Sequence, residues 1–441
     1  MIALCLRKKL LTLASRSLLP AVAIAMFVIS PPASVAQSLP EIPIIYDFGI
    51  GARAMGMGQA HVAVCEDASA MFHNPAGLAQ VRRIELSAGF THLSEDLDVT
   101  EFGRTVTSTL GSTQLSSLGL AYPFPTYRGS LVMGFAYNRT RNMDSDYMRY
   151  GFNPYYELPE GTAAGWEKEQ IFERGGISNY TVAFGLDVSP EVAVGASFSY
   201  LNGKSERTFG RTAVWQIDAS SIPEEYLKVD DADISGWTAS LGTIAKLGNV
   251  ARLGLTVKLP EHITLDGAEF IDEYDPDIDE YLHEEFLFED EIILPLSFTA
   301  GASAAPVPGL IFAVDARYTD WKQIDYAGPI RVDNFYAYGA TTSLRFGTEF
   351  MFPFAPLRIR GGFFTEPLAF KLLPDISNSG EIKIAQIDED GKFYTLGAGL
   401  LLAESFTIDL AWVHGGFERS IPNYSEKKTI DKIFVTAGYR F

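Results

Sequence analysis

Ile433-Phe434-Val435-Thr436-Ala437-Gly438-Tyr439-Arg440-Phe441 is the stretch that decides the fold. Read with a period of two, Ile433, Val435, Ala437, Tyr439 and Phe441 share one face, and Lys432, Thr436 and Arg440 share the other. One face suits lipid and the other suits water, with aromatics where the strand would leave a bilayer. That is the pattern of a transmembrane β-strand, although a soluble edge strand can look the same. Tyr439 and the terminal Phe441 are read as the membrane-insertion signal, which implies handling by the barrel-assembly machinery.

The opposite end of the chain points to export. Arg7, Lys8, Lys9 and Arg16 precede or border an uncharged apolar run from Leu18 to Ile29, and Ser34-Val35-Ala36 forms a small-residue cleavage site. Residues 1–36 therefore read as a signal peptide, too short in its apolar run to span a membrane as a stable helix. Removing its four basic residues from 35 leaves 31 against 55 acidic ones, a net charge of −24. So acidic a chain is a poor partner for nucleic acid. Cys65 is then the only cysteine, so no intrachain disulfide forms.

Beyond residue 36 no apolar run approaches the length of a membrane helix. Strand-like runs instead come in pairs joined by tight turns. Leu115–Pro123 and Gly129–Thr140 are one pair, Ser178–Val188 and Glu191–Asn202 the next, then Gly236–Leu247 and Val250–Leu259 around Gly248-Asn249. Ile292–Ala304 with Gly309–Asp320, Ala340–Phe350 with Leu357–Thr365, and Phe393–Ala403 with Ser405–His414 complete the pairs. Proline, glycine and asparagine at the joins suit tight reversals. Arg83–His92 precedes the pairs and Lys428–Phe441 follows them.

The count is about fourteen, an even number, as a closed bacterial outer-membrane barrel requires. The stretches 93–114, 141–177, 203–235, 260–291, 321–339, 366–392 and 415–427 read as long polar loops on the other rim. Val99–Leu110 reads as an extension into the first of these loops rather than as a further strand.

Alternation within the runs supports closure around a wet lumen. Phe406, Ile408, Leu410 and Trp412 oppose Thr407 and Asp409; Leu310, Phe312 and Val314 oppose Asp315 and Arg317. A charge facing hydrocarbon at mid-membrane costs ~2–4 kcal/mol, so these charges are expected in the lumen. Asp315, Arg317, Arg358, Arg360, Asp409 and Lys432 then form a hydrated, largely self-paired wall. Arg317, Arg358 and Arg360 are candidates to pair with a carboxylate headgroup.

Residues 37–82 lack the alternation and are rich in small residues, as in Gly51-Ala52-Arg53-Ala54-Met55-Gly56-Met57-Gly58 and Asn74-Pro75-Ala76-Gly77-Leu78. Fourteen strands enclose more space than their own side chains fill, so this segment reads as a plug inside the lumen of a barrel formed by residues 83–441. Asn74 can satisfy bare backbone groups where Pro75 removes a donor. Asn74, Pro75, Ala76, Gly56 and Gly58 are therefore the candidate gating residues. A plain Asn-Pro turn leading into the first strand is the competing account. Gly49-x-Gly51-x-x-Ala54 imitates a dinucleotide fingerprint, but no βαβ pattern follows it.

These segments resemble the start of the long-chain fatty acid outer-membrane transporter family, of FadL and TodX type. Arg317-Tyr318-Thr319-Asp320-Trp321 resembles the same family. The resemblance implies a fourteen-stranded barrel with an N-terminal hatch, in the outer membrane of a Gram-negative-type bacterium. It also implies passive uptake of hydrophobic molecules that bind within the wall and leave sideways through a kinked strand, for which Gly134 is a candidate. The opening motif also resembles PorV- and PorQ-type barrels of a protein secretion system, whose partner would be protein cargo.

Chemistry-bearing sites are sparse. The six histidines show no metal-ligand spacing, so no enzyme, cofactor or metal is expected. Asp275-x-Asp277-x-Asp279 opens like a calcium loop, but Phe286 stands where a bidentate glutamate belongs. The acidic stretch around it is read as a solvated outer loop, with bridging through divalent ions to lipopolysaccharide as the alternative. Phe286 and Phe288 within it, with Phe152, Tyr155, Tyr156, Trp166 and Phe172 of the second long loop, are candidates for a first hydrophobic collection site.

Overall fold

The computed structural model describes residues 48–441 except 102, 159–160, 218–219, 276–277, 328–335, 373–386 and 422–423. The signal-like residues 1–36 lie outside the described residues, as does the chain up to residue 47.

Fourteen antiparallel strands make the wall. They are β1 (Glu85–Glu101), β2 (Arg104–Phe124), β3 (Leu131–Asn142, resuming as Ser145–Leu158), β4 (Gly161–Asp187), β5 (Val192–Ile217), β6 (Ser220–Leu247) and β7 (Ala251–Lys258, resuming as Glu261–Asp275). They continue with β8 (Glu280–Leu294, resuming as Ser297–Val307), β9 (Leu310–Asp320), β10 (Ala340–Met351), β11 (Leu357–Glu366), β12 (Ile387–Leu402), β13 (Phe406–Ile421) and β14 (Tyr424–Arg440). Neighbours in sequence pair throughout, and β14 returns to β1 in continuous register from Glu85↔Arg440 to Glu101↔Tyr424. Closure leaves the wall no free edge at this seam, and Arg440 Nε donates to Glu85 Oε2 at 2.8 Å across it.

The two faces sort as the alternation requires. Phe406, Ile408, Leu410, Trp412, Ile433, Val435 and Tyr439 are exposed on the outside, while Ala411, Val413, Lys432 and Phe434 are buried inside. From Phe406 to Trp412 the strand climbs roughly 20 Å at about 3.3 Å per residue, close to the apolar band such barrels present. Aromatic pairs mark both borders of that band. Tyr122–Phe124, Phe350–Phe352 and Tyr439–Phe441 stand at the short-turn rim, and Tyr137–Tyr180, Phe363–Tyr394 and Trp237–His262 at the other.

The short turns fall where the proline, glycine and asparagine joins lie. Between β12 and β13, Ala403 and Glu404 take φ of 49° and 58°. Two successive positive φ values are the geometry of the tight hairpin turn, here adopted by residues that rarely accept it.

Most of the long connections are not loops, which corrects the sequence expectation. β1 and β2 stay paired to Glu101↔Arg104, so Val99–Leu110 lies within one continuous hairpin. β5 and β6 stay paired to Ile217↔Ser220, and β7 and β8 to Asp275↔Glu280. The ladder carries on past the band of outward apolar side chains, where charged and polar residues are frequent on both faces although Leu97, Val99, Tyr147, Ile171 and Tyr424 still cluster inside. Alternation in hydrophobicity fades there although pairing does not. No described helix is long and apolar enough to cross a membrane.

Candidate functional site

Residues 48–81 sit inside the barrel. They form a short helix α1 (Ala52–Gly56), a single turn α2 (Ala70–His73) and a 3-10 helix (Pro75–Gln80). Helices this short do not hold themselves together in isolation. Their bare backbone groups must find partners elsewhere, and the wall provides them. Ala52 N donates to Thr436 Oγ1 at 2.9 Å, and Ala68 N to Glu85 Oε1 at 2.9 Å. His61 N and Val62 N both donate to Asp315 Oδ2, at 2.7 and 2.9 Å. Thr395 Oγ1 accepts from Gly58 N at 3.0 Å and donates to Gly56 O at 3.1 Å.

A chain of charges crosses the same seam. Arg53 of the hatch forks onto Glu349 at 3.0 and 3.1 Å, Glu349 accepts from Arg360 Nε at 2.6 Å, and Arg360 Nη1 donates to Asp409 at 2.6 Å. Arg360 is thus placed beside the hatch, buried and doubly paired, as part of the plug's seating.

Asn74 is the centre of the motif and is fully buried. Its Nδ2 donates to Val62 O at 2.9 Å within the hatch and to Thr243 O at 3.1 Å on the wall, and its Oδ1 accepts from Ala76 N at 3.1 Å. One side chain therefore caps the 3-10 helix that Pro75 begins, ties a hatch loop and grips β6. The wall makes room by omitting side chains. A Cβ at Gly195 would stand 2.3 Å from Pro75 C, and one at Gly242 2.0 Å from Asn74 Oδ1. Gly56 and Gly58 meet the wall in the same way on the other side: a Cβ at Gly362 would stand 2.3 Å from Gly58 N.

Burial outweighs the pull of nearby Asp67 and keeps two hatch histidines neutral. His73 is pushed down to about 4, its Nε2 facing Ile50 O at 3.0 Å, and His61 is pushed lower still by burial and by His73 beside it.

Above the hatch the wall is interrupted in β3. The β2–β3 ladder runs only from Phe124↔Leu131 to Ser117↔Asn138. A bulge follows between Arg139 and Arg141, then Met143 and Asp144 fall out of the strand, and Ser145–Leu158 pairs with β4 alone. Asp144 bridges the gap, accepting from Ser112 Oγ of β2 at 2.9 Å and from Gly175 N of β4 at 3.2 Å. The break is therefore not at Gly134, which pairs regularly with Ala121 and Ala183. Gly134 is a hatch contact: a Cβ there would stand 2.4 Å from Met71 Sδ.

Two of the cavities among the described residues lie in the lumen. One, of about 130 Å³, is lined by apolar side chains including Phe48, Leu93, Met143, Tyr147, Phe393 and Ile430, and by charged ones: Glu95, Asp144, Glu173, Glu366 and Glu426 with Arg207, Lys428 and Lys432. Lys432 Nζ lies 3.5 Å from the centre of the Phe48 ring, and Lys428 Nζ 3.0 Å from Glu95 Oε1. Met143, Asp144 and Ser145 of the strand break line this cavity directly. The other, of about 100 Å³, is floored by Phe72 and His73 and walled by Ser and Thr side chains with Arg141, Lys258, Arg317 and Arg345.

Arg317 is half-buried in this polar cavity, with no ion pair within 4.0 Å among the described residues. Arg358 is half-buried on β11 near the short-turn rim, away from both cavities. Phe286 is exposed and Phe288 half-exposed on the projecting β7–β8 hairpin, and neither lines either cavity. Lys428, Lys432, Phe48 and the Met143-Asp144 break were not singled out as site residues. Lys432 carried a signal, as a charge between Ile430 and Phe434 in a lumen-facing row, whereas Lys428 sits between Glu426 and Ile430.

No family model matches the chain, and no curated protein matches it. Solved structures do. A Pseudomonas aeruginosa FadL homologue aligns over 90% of this chain and 100% of its own, with TM-score 0.66 at 14% identity. The Pseudomonas putida toluene transporter TodX aligns over 89% and 99%, with TM-score 0.63 at 15% identity. The Ralstonia pickettii toluene transporter TbuX aligns over 89% and 98%, with TM-score 0.57 at 13% identity. The chain is thus a closed fourteen-stranded barrel of the FadL/TodX fold type.

Proposed function

We propose that this protein is an outer-membrane channel for passive uptake of hydrophobic small molecules, and not an enzyme. Residues 37–82 act as the hatch, and long-chain fatty acids or similar anionic amphiphiles are the substrates. The observation that carries this is a cavity with a largely apolar surface beside a broken wall strand, its charged lining including Lys428 and Lys432 as well as carboxylates such as Glu95. Apolar burial at ~25 cal/mol per Å² drives capture of a hydrocarbon tail, and Lys428 and Lys432 favour a carboxylate. Arg317 in the polar cavity is the second candidate partner for the headgroup. With the hatch seated beneath, the gap between β2 and the outer part of β3 is the route sideways. No energy source is built into the fold, so flow follows the gradient.

The test is equilibrium binding of radiolabelled palmitate and of toluene to the purified protein in detergent. Palmitate is expected to bind, and Lys428→Met with Lys432→Met to weaken it about 10-fold or more, the scale of a charge-assisted hydrogen bond. Toluene bound with no palmitate binding would place the substrates among neutral hydrocarbons. Failure of both, with a co-purifying protein cargo, would replace transport by the secretion-barrel alternative.

A further inference from the structure

The segment Ser145–Leu158 does not stay in the wall. Only one of its edges is laddered, to β4, while β2 beyond Ser117 pairs only with β1. The segment leans across the mouth instead. Tyr147 OH lies 3.3 Å from Tyr424 OH of β14, and Arg149 reaches Glu101 at the tip of β1. Tyr147 and Ser145 also line the apolar cavity, so the segment covers it on the side away from the short turns.

Arg149 is 1% exposed and surrounded by carboxylates. Its Nε and Nη2 fork onto Glu169 at 2.5 and 2.6 Å, Nη1 donates to Glu101, and Glu167 lies 3.6 Å from Nη1. Arg211 shares Glu167 at 3.3 Å and pairs with Glu224 at 3.2 Å. Glu101 has no other cation within 4.0 Å among the described residues. Removing the Arg149 charge leaves Glu101, Glu167 and Glu169 converging with far less compensation, and such buried clusters repel.

The base of the segment is irregular, although Met143 N still donates to Gly175 O at 3.3 Å. Met143 and Asp144 are outside any strand, and directly across from them Gly175 and Gly176 take φ of 149° and 152°. These values favour glycine, and a Cβ at Gly175 would stand 2.1 Å from Lys204 O. A bulge one turn of the pleat below, between Arg139 and Arg141, already breaks the register with β4.

We infer that Ser145–Leu158 is a lid over the apolar cavity, hinged at Met143-Asp144 against Gly175-Gly176, and that Arg149 is the positioning residue that latches it to β1. The lid is the entry step for the uptake proposed above, but its motion does not depend on what is carried.

The test is pulsed electron resonance on the full chain in lipid nanodiscs, with spin labels at Phe152→Cys on the lid and Lys427→Cys on β14, in a Cys65→Ala background. The parent is expected to give one narrow distance. Arg149→Gln is expected to add a longer population, and Arg149→Lys, which keeps the charge but not the fork, to restore most of the short one. Glu101→Gln removes only the β1 partner and is expected to open a smaller fraction, which keeps the test valid if Arg149→Gln fails to insert. An unchanged single distance in a folded Arg149→Gln or Glu101→Gln variant would overturn the latch. A lengthened distance with no faster binding of a fluorescent fatty acid would support the lid and count against the fatty acid reading.

Discussion

Gly195 and Gly210 lie on the same strand, β5, yet face different situations. At Gly195 a Cβ would strike the hatch backbone; at Gly210 it would meet nothing within 4 Å. The contrast holds for the two halves of the barrel. The half near the short turns is closed by main chain packed against main chain, through glycines that let hatch and wall touch. Towards the mouth the inner packing is carried by side chains, with Arg149, Arg211 and their carboxylates as an ionic cluster. Backbone contact tolerates almost no displacement, whereas an ionic cluster can separate and re-form. In the function proposed above, the difference suits the hatch to the lasting seal and the mouth to the moving closure.

The sharpest way to break this comparison is Gly195→Val against Gly210→Val. The wall at Gly195 is laddered to Gly185 and Gly242 on both sides and cannot yield. The hatch must therefore shift, at a cost above the ~1–3 kcal/mol of ordinary overpacking. The expected outcome is large single-channel conductance for Gly195→Val and none for Gly210→Val in planar bilayers. Equal behaviour of the two variants would erase the distinction.

Asn74→Ala is next in size. It removes three hydrogen bonds and leaves Thr243 O buried without that donor, about 3 kcal/mol of hatch seating. Intermittent opening is expected, together with protease cleavage between residues 48 and 81 that the parent resists.

Acid should loosen the hatch in a defined window. The folded values of His61 and His73 lie below the ordinary 6.5, so the neutral forms stabilise the seated hatch fully above pH 6.5. That contribution is lost as pH falls from 6.5 towards 4, because the rings of an unseated hatch take up protons that the buried rings do not. Arg53 opposes charging of His61, and Arg345 and Arg317 that of His73, whereas Asp67 favours both and Glu349 favours His61. Channel openings are therefore expected to rise between pH 6.5 and 4.5, and His61→Asn with His73→Gln to flatten the dependence.

The smallest effect concerns neither closure. Ala403→Asn with Glu404→Gly gives the β12–β13 turn residues suited to positive φ and is expected to stabilise the barrel by about 1 kcal/mol. Urea unfolding would register it, with conductance unchanged.

The barrel was legible because lipid imposes a strict alternation and short turns demand particular residues. Phe406 to Trp412 and Ile433 to Tyr439 declare their faces without help. The signal was weaker for the outer hairpins, where no lipid enforces alternation; Val99–Leu110 looks strand-like, but an odd strand count would break closure, so from sequence it reads as part of a loop. The hatch was visible through its small residues, and Asn74-Pro75-Ala76 through its turn chemistry. Its seating was not, since Gly195 and Gly242 differ from any strand glycine only in what lies opposite. The break in β3 is a matter of register between Asn138 and Ser145, and the apolar cavity gathers residues from distant strands. Neither leaves a local mark.

The measurement that bears most directly on the whole account is the conductance of the full chain and of a variant lacking residues 37–80, side by side in planar bilayers. A silent full-length barrel and a steadily open deletion variant are what a seated hatch demands. Indistinguishable conductance would mean that residues 48–81 do not close this barrel, and the proposed sideways route for substrate would lose its reason.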